Sequence, residues 1–345
     1  MGRIAEPWHF YAGIVSLVLG IETSCDETAA AVVSDDFVVC SSVIESSIDT
    51  HRPFGGVVPE LAGRAHVDYL PEVVERALTE AGLDPRSPAI DGVAVTSGPG
   101  LIGSLLVGLS AAKAYAFAWG VPFVGVNHLE GHLYAPLLED PTLSFPLLTL
   151  LVSGGHTMLI VVDKPGHYRV LGETIDDAAG EAFDKVARWL DLGYPGGPII
   201  DRLAAQGDAT ALALPRSMVG ANLDFSFSGL KTAVVRSGEK SAVRREDVVA
   251  SFQAAVCEQL LRKVNRALDI EDVEGVALAG GVAANSELRA GLSRLAETRG
   301  LRAHLPARSW CTDNAAMIAA VGTHRLRSPS AYSLPAQPHW PLEDL

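Results

Sequence analysis

Residues 15–28, Val15-Ser16-Leu17-Val18-Leu19-Gly20-Ile21-Glu22-Thr23-Ser24-Cys25-Asp26-Glu27-Thr28, decide the fold, because their pattern occurs twice in the chain. An apolar run (15–21) enters a polar, hydroxyl-bearing turn (22–28). A second run follows at 29–33, then Asp35-Asp36, then a third run at 37–40. Far downstream, the run 147–152 enters Ser153-Gly154-Gly155-His156-Thr157. The runs 158–162 and 168–171 follow, separated by Asp163-Lys164-Pro165-Gly166. Each series reads as strand, polar loop, strand, turn, strand. A three-stranded meander written twice predicts an α/β protein of two related lobes, each opening on its own sheet.

Outward from the first meander, residues 67–81 have helical periodicity and stop at Gly82. A buried strand at 92–96 runs into Ser97-Gly98-Pro99-Gly100-Leu101-Ile102-Gly103-Ser104, then into a small-residue helix reaching about Trp119. Strand, glycine-rich loop and helix form the layout in which backbone N–H groups receive an anion. After the second meander, 173–192 is amphipathic and carries Asp176, Asp177, Glu181, Asp184 and Lys185, mostly as a solvated face. Tyr194-Pro195-Gly196-Gly197-Pro198 makes a corner before a helix containing Asp201. Residues 224–231 alternate like a strand, 247–268 read as a long helix, and 275–279 form a buried strand. That strand enters Gly280-Gly281-Val282-Ala283-Ala284-Asn285, a second strand–glycine–helix junction suited to a nucleotide. The expected organisation is a mobile leader (1–14), a first lobe (15–145, with 310–327 packing back on it), a second lobe (146–309) and a mobile Pro/Ser-rich tail (328–345).

Composition narrows the function. With 27 Lys and Arg against 41 Asp and Glu, the formal charge is −14, which argues against unaided, non-specific binding to nucleic acid. It leaves RNA open as a substrate where a local basic patch or a partner supplies cations; Arg64, Arg188, Lys231, Arg236, Arg244 and Arg245 are candidates. Four scattered cysteines (Cys25, Cys40, Cys257, Cys311) with no CxxC point to a reducing compartment and no zinc knuckle. The apolar stretch 10–21 imitates a secretory core, but no small-residue cleavage site follows and it is short for a membrane span. A cytoplasmic protein with no membrane association is expected.

The chemistry centres on Asn127-His128-Leu129-Glu130-Gly131-His132. On a helix, His128 and His132 stand one turn apart on one face and can hold one metal ion between them. A third ligand is available far downstream in Cys311-Thr312-Asp313-Asn314. Asp313 there is either a helix N-cap or the carboxylate that completes a two-histidine, one-carboxylate set. A metal-dependent peptidase of the H-E-x-x-H kind needs Glu directly after the first His. Glu130 comes two residues after it, about 200° around the helix, so that reading fails on geometry. An actin-like ATPase or sugar kinase would use the same cleft, but imidazoles are poor ligands for its Mg²⁺. A scaffold that only senses nucleotide is the remaining alternative.

Several segments in series carry a resemblance. They include Ile21-Glu22-Thr23-Ser24-Cys25-Asp26-Glu27-Thr28, Gly55-Gly56-Val57-Val58-Pro59-Glu60, Gly98-Pro99-Gly100-Leu101 and His128-Leu129-Glu130-Gly131-His132. They continue through Val152-Ser153-Gly154-Gly155-His156-Thr157, residues 176–185, Tyr194-Pro195-Gly196-Gly197, residues 225–231, residues 279–285 and residues 312–317. In this order they resemble the bacterial tRNA N6-adenosine threonylcarbamoyltransferases, a glycoprotease-like family once catalogued as endopeptidases. Asn127 is a departure, at a position where relatives often carry another histidine. The resemblance implies two ribonuclease-H-like lobes of the actin, hexokinase and Hsp70 type around a nucleotide cleft. It implies transfer of a threonylcarbamoyl group from threonylcarbamoyl-AMP to the N6 amine of the adenosine 3′ of the anticodon, in tRNAs reading codons that start with A. It further implies one divalent metal ion, iron favoured and zinc possible, on His128, His132 and Asp313. The donor would be bound at Leu151, Val152, Ser153, Gly154, Gly155, Asp184, Gly197, Asp201 and Asn285, and the partners would be a degenerate paralogue and a small ATPase. Asp26, a carboxylate in the first inter-strand loop, is the candidate base for the amine proton.

Overall fold

The computed structural model describes residues 16–216, 222–240 and 243–345; the expected leader, 1–14, and Val15 lie outside the described residues. The first meander forms as β1 (Leu17–Glu22), β2 (Glu27–Ser34) and β3 (Val39–Ser46). It joins β4 (Gly92–Gly98) and β5 (Phe123–Asn127) in a sheet of order β3-β2-β1-β4-β5, antiparallel within the meander and parallel from β1 outward. Four helices belong to this half: the short α1 (Ile48–His51), α2 (Pro59–Glu80), α3 (Ile102–Trp119) and α4 (His128–Glu139). Strands β4 and β5 are buried throughout and β1 almost so, because helices cover both faces of the sheet. Leu19, Ile21, Val93 and Val95 meet α2 and α3 on one side; Val18, Ala94 and Val126 meet α4 and a late helix on the other.

The second half repeats this plan. Strands β6 (Leu147–Val152), β7 (Thr157–Lys164), β8 (His167–Glu173), β9 (Gly275–Ala279) and β10 (Arg302–His304) pair in the order β10-β9-β6-β7-β8, with the same sense at every step. Its helices are α5 (Ala179–Trp189), α6 (Gly196–Ala204), α7 (Ser228–Lys240), α8 (Arg245–Ala267), α9 (Ser286–Arg299) and α10 (Arg308–Cys311). The last helix, α11 (Ala315–Arg325), returns to the first sheet. Gly20 makes that return possible, since a Cβ there would stand 2.2 Å from the Ala315 carbonyl oxygen.

Two expectations need correction. Residues 224–231 are not a strand; only Phe225 pairs, in an isolated bridge with Thr174. The Asp176 carboxylate accepts from the amides of Phe227 (2.8 Å) and Ser228 (3.4 Å), turning the chain into α7. Asp176 is therefore a turn-forming acceptor, not part of a solvated helix face. The tail from Ser328, expected to be mobile, instead runs a fixed course along the first lobe. Ser330 N–H donates to the Phe123 carbonyl (2.9 Å), Gln337 N–H to Ser97 (2.7 Å), and Gly100 N–H to Pro338 (3.2 Å). Leu342 ends buried with Leu129, Leu147 and Leu151. Backbone hydrogen bonding and several apolar contacts, Leu334 and Leu342 among them, outweigh what composition alone implied. Among the described residues α3 has the length and hydropathy of a membrane-spanning helix. Its Leu105, Leu109, Ala112 and Ala116 are buried in the protein.

Candidate metal centre and nucleotide cleft

Helix α4 starts where it does because the Asn127 side chain caps it, accepting from the amides of Leu129 (2.9 Å) and Glu130 (3.4 Å). Asn127 thus has a defined role, and its Nδ2 also donates to the Trp340 carbonyl of the tail (3.0 Å). One turn of helix then sets the His128 and His132 rings edge to face, with centroids 4.7 Å apart, and both are buried. Asp313 is not the N-cap of α11. Asn314 takes that role, accepting from Met317 N–H at 3.0 Å, which leaves the Asp313 carboxylate free. Asp313 Oδ1 lies 3.2 Å from His132 Nε2 and 3.5 Å from His128 Nε2. All three ligand atoms fall within 4.8 Å of one another.

These residues fit a metal ion. Ligands about 2.0–2.2 Å from a common ion stand roughly 3–4 Å apart, as here. Both ring nitrogens of His132 are buried and neither makes a well-aligned hydrogen bond among the described residues, Nε2 facing only the Asp313 carboxylate at 3.2 Å, an arrangement that suits a cation taking the lone pair. Behind His128, a further carboxylate fixes the ring. Glu22 Oε2 lies 2.9 Å from His128 Nδ1, and Ser24 Oγ is 3.2 Å from the same nitrogen. A proton on Nδ1 directed at Glu22 leaves Nε2 as the free lone pair facing Asp313. Glu22 is itself held by Thr96 Oγ1, which donates to Oε2 at 2.6 Å, and by the Ser24 amide. Burial disfavours charge on all these groups. The carboxylates of Asp313 and Glu22 nonetheless outweigh it and hold His128 well above the ordinary histidine range. Conversely, Glu22 and Asp313 are held below theirs against burial, both chiefly by His128.

The His128, His132 and Asp313 cluster opens on a cleft of about 730 Å³ lined from both lobes, a size that suits a nucleotide-sized ligand. Ser153, Gly154, Gly155, Asp184, Gly197, Asp201 and Asn285 all line it, as does Asp26 opposite. Leu151 and Val152 do not; both are fully buried in β6, and they carry the loop rather than face the cleft. No protein atom lies within 4 Å of where a Cβ would stand at Gly154, Gly155, Gly197 or Gly281, so backbone there is open to a ligand. The polar side chains are partly engaged. Asp184 Oδ1 accepts from Gly196 N–H (2.7 Å), fixing the corner that presents Gly197. Asp201 accepts from the amide (3.2 Å) and hydroxyl (2.7 Å) of Ser286. Asn285 caps α9 through Leu288 N–H (3.0 Å) and donates to Gln253 Oε1 (2.8 Å). Gly280, at φ +86°, turns β9 into this region where a Cβ would strike the Val152 carbonyl.

Three functional groups were missed in the sequence. Glu22 reads in the sequence as the first residue of the polar turn, yet it ends β1 and is completely buried. A carboxylate closing an otherwise apolar strand was the available signal. Glu27, beside Asp26 in the cleft, is pushed up to about 9 by burial and by its neighbour's charge. His156 lines the cleft too and is lowered to about 4, first by burial and then by His128 and His132. Glu130 is not aimed at the cleft. It is buried on the far face of α4, bonded to Tyr168 and Arg325, which removes the peptidase arrangement. Of the candidate tRNA contacts, Arg64 pairs with Glu60, Arg244 with Asp247, and Arg188 donates to the Gly55 carbonyl across the lobes.

Solved structures share this architecture at low sequence identity. The chain superposes on the activator component A of (R)-2-hydroxyglutaryl-CoA dehydratase from Acidaminococcus fermentans with a TM-score of 0.54 at 14% identity, covering 92% of this chain and 100% of that one. It matches full-length HypF in its phosphate- and nucleotide-bound form with a TM-score of 0.62 at 13% identity, covering 91% of this chain and 47% of that one. Both support the two-lobed ATPase-type fold and nothing finer. Sequence relatives are far nearer. A protein named tRNA N6-adenosine threonylcarbamoyltransferase from Anaeromyxobacter dehalogenans (strain 2CP-C) is 54% identical over 333 residues, 94% of this chain and 99% of that protein. One of the same name from Geotalea uraniireducens (strain Rf4) is 49% identical over 337 residues, 95% of this chain and 97% of that protein. The family model described as tRNA N6-adenosine threonylcarbamoyltransferase matches residues 38–320. With that match on a fold whose cleft gathers His128, His132 and Asp313, the chain belongs to the tRNA N6-adenosine threonylcarbamoyltransferase family.

Proposed function

We propose that the chain transfers the threonylcarbamoyl group of threonylcarbamoyl-AMP to the N6 amine of the adenosine 3′ of the anticodon, in tRNAs that read codons starting with A. The observation that carries this reading is the gathering of two histidines and one carboxylate at the edge of a glycine-lined cleft, in a chain about half identical to enzymes of that name. In the reaction a bond forms between N6 and the carbamoyl carbon. The bond from that carbon to the phosphate oxygen breaks, AMP departs, and one amine proton must be removed.

The second lobe's loop receives the donor, with Ser153 and the open backbone of Gly154 and Gly155 suited to phosphate and carbonyl oxygens. Gly197, Asp184, Asp201 and Asn285 border the nucleoside end. His128, His132 and Asp313 would hold one divalent ion, iron favoured and zinc possible. Such an ion supplies Lewis-acid stabilisation of developing negative charge, commonly several kcal/mol. Glu22 keeps the His128 ring in the required tautomer. Asp26, facing the cleft from the first lobe, is the proposed base for the amine proton. Near-normal turnover in Asp26→Asn would remove it from that role.

The acidic chain (formal charge −14) favours tRNA docking with help, which we assign to a degenerate paralogue and a small ATPase. The four free cysteines fit a reducing cytoplasm, where tRNA is found. The test is incubation of the purified protein with carbonyl-labelled threonylcarbamoyl-AMP, tRNA and those partners. Label is expected on tRNA with no ATP consumed by this chain. Casein cleavage or sugar phosphorylation without tRNA labelling would overturn the proposal.

A further inference from the structure

The three metal-ligand candidates come from two helices that meet away from the cleft. His128 and His132 are on α4, and Asp313 stands two residues before α11. The spacing of the ligand atoms therefore depends on how α4 and α11 are held against each other. They touch closely at Gly131, where a Cβ would lie 2.8 Å from Ile318 Cδ1 and 3.1 Å from Met317 Cγ. Beside that contact, on the face of α4 opposite the ligands, Glu130 forms a forked ion pair with the last turn of α11. Arg325 Nε donates to Oε2 at 2.7 Å and its terminal nitrogen donates to Oε1 at 3.0 Å. Tyr168, from β8 of the second lobe, donates its hydroxyl to the same Oε1 at 2.8 Å and accepts from Gly166 N–H at 3.0 Å.

The Glu130 side chain is 1% exposed and the Arg325 side chain 28% exposed, so the pair carries a substantial desolvation cost. Buried pairs of this kind rarely add net stability over an apolar filling, and their best-supported use is to specify one geometry. A bidentate guanidinium–carboxylate contact does that well, because both its distance and its plane are fixed. We infer that Glu130 is a positioning residue: with Arg325 and Tyr168 it locks α4 to α11 and to the second lobe, and so sets the spacing of His128, His132 and Asp313. This inference rests on reading those three residues as a metal site.

The test measures Zn²⁺ binding directly, by competition with a chromophoric chelator, so it does not depend on transfer activity. Glu130→Gln keeps the shape, loses the charge and is expected to weaken Zn²⁺ binding by about 10–100-fold, the range for outer-shell partners. Tyr168→Phe, which leaves the ion pair in place, is expected to weaken it by only a few-fold. Leu292→Ala, a cavity in the second lobe's core remote from the site, is the control for stability loss alone. Unchanged Zn²⁺ affinity in Glu130→Gln, or an equal loss in Leu292→Ala, would overturn the inference. If Glu130→Gln does not fold, Tyr168→Phe decides, and wild-type affinity there refutes the lock. A wild-type protein that binds no Zn²⁺ or Fe²⁺ sinks the metal reading itself, and the inference falls with it.

Discussion

The two lobes share one strand order and one pattern of pairing, yet their first hairpin loops have opposite chemistry. Between β1 and β2 the chain places Ser24, Cys25 and Asp26, flanked by Glu22 and Glu27, so this loop is acidic and largely buried. Between β6 and β7 the equivalent loop is Ser153-Gly154-Gly155-His156, neutral and open. The acidic loop would repel the phosphate of the proposed donor, and the open glycine loop has room for it. In the proposed reading the duplicated fold gives the cleft a polarity: the glycine loop would take the ligand, while the acidic loop orients His128 through Glu22 and offers Asp26 as the proposed base.

Substitutions on each side can break this division. Asp313→Asn or His132→Ala removes a ligand outright. Loss of bound metal by elemental analysis and a fall in kcat/KM of about 10³-fold or more are expected, since several kcal/mol of charge stabilisation go with it. Glu22→Gln on the acidic side leaves the three ligands in place but loosens His128, with about 10–100-fold weaker metal binding expected by chelator competition. Gly155→Val on the open side places its Cβ in clear space, so the melting temperature should hold while KM for the acyl donor rises about tenfold. If instead Gly155→Val cost metal and Glu22→Gln cost only KM, the two loops would have exchanged roles.

The smallest effect is a pH signature. Glu27 is pushed up to about 9, far above an unfolded glutamate near 4.5. Between those values the folded state binds the extra proton, so stability falls as pH rises through that window. Glu27→Gln, which cannot ionise, should therefore gain a few degrees in melting temperature over wild type at pH 8–9 and little near pH 5. An identical difference at both pH values would show that the Glu27 carboxyl is not held neutral.

Much of this was legible in the sequence, because the doubled meander repeats an apolar-run and polar-turn rhythm that periodicity detects. His128 and His132 were visible as a helical pair, and Asp313 as a carboxylate in a polar turn. Hidden from a linear reading was Glu22, whose partner His128 lies 106 residues away and whose burial breaks the usual rule for a carboxylate. Leu151 and Val152 entered the donor site through the family resemblance alone, but strand alternation sends their side chains into the cores. The tail misled through its composition: Pro and Ser give no periodicity, and its anchors are main-chain hydrogen bonds and scattered apolar side chains such as Leu334 and Leu342.

Gly20 beneath α11 also bears on how the protein is made. Apart from the part that α4 covers, the face of β1, β2 and β4 carrying Val18, Ala31 and Ala94 stays uncovered until α11 has left the ribosome. The early half of the nascent chain must wait, apolar side outward, for nearly the last helix to be synthesised. Premature termination before Ala315 would therefore release an aggregation-prone fragment that still carries His128, His132 and Asp313 but lacks the helix that follows Asp313.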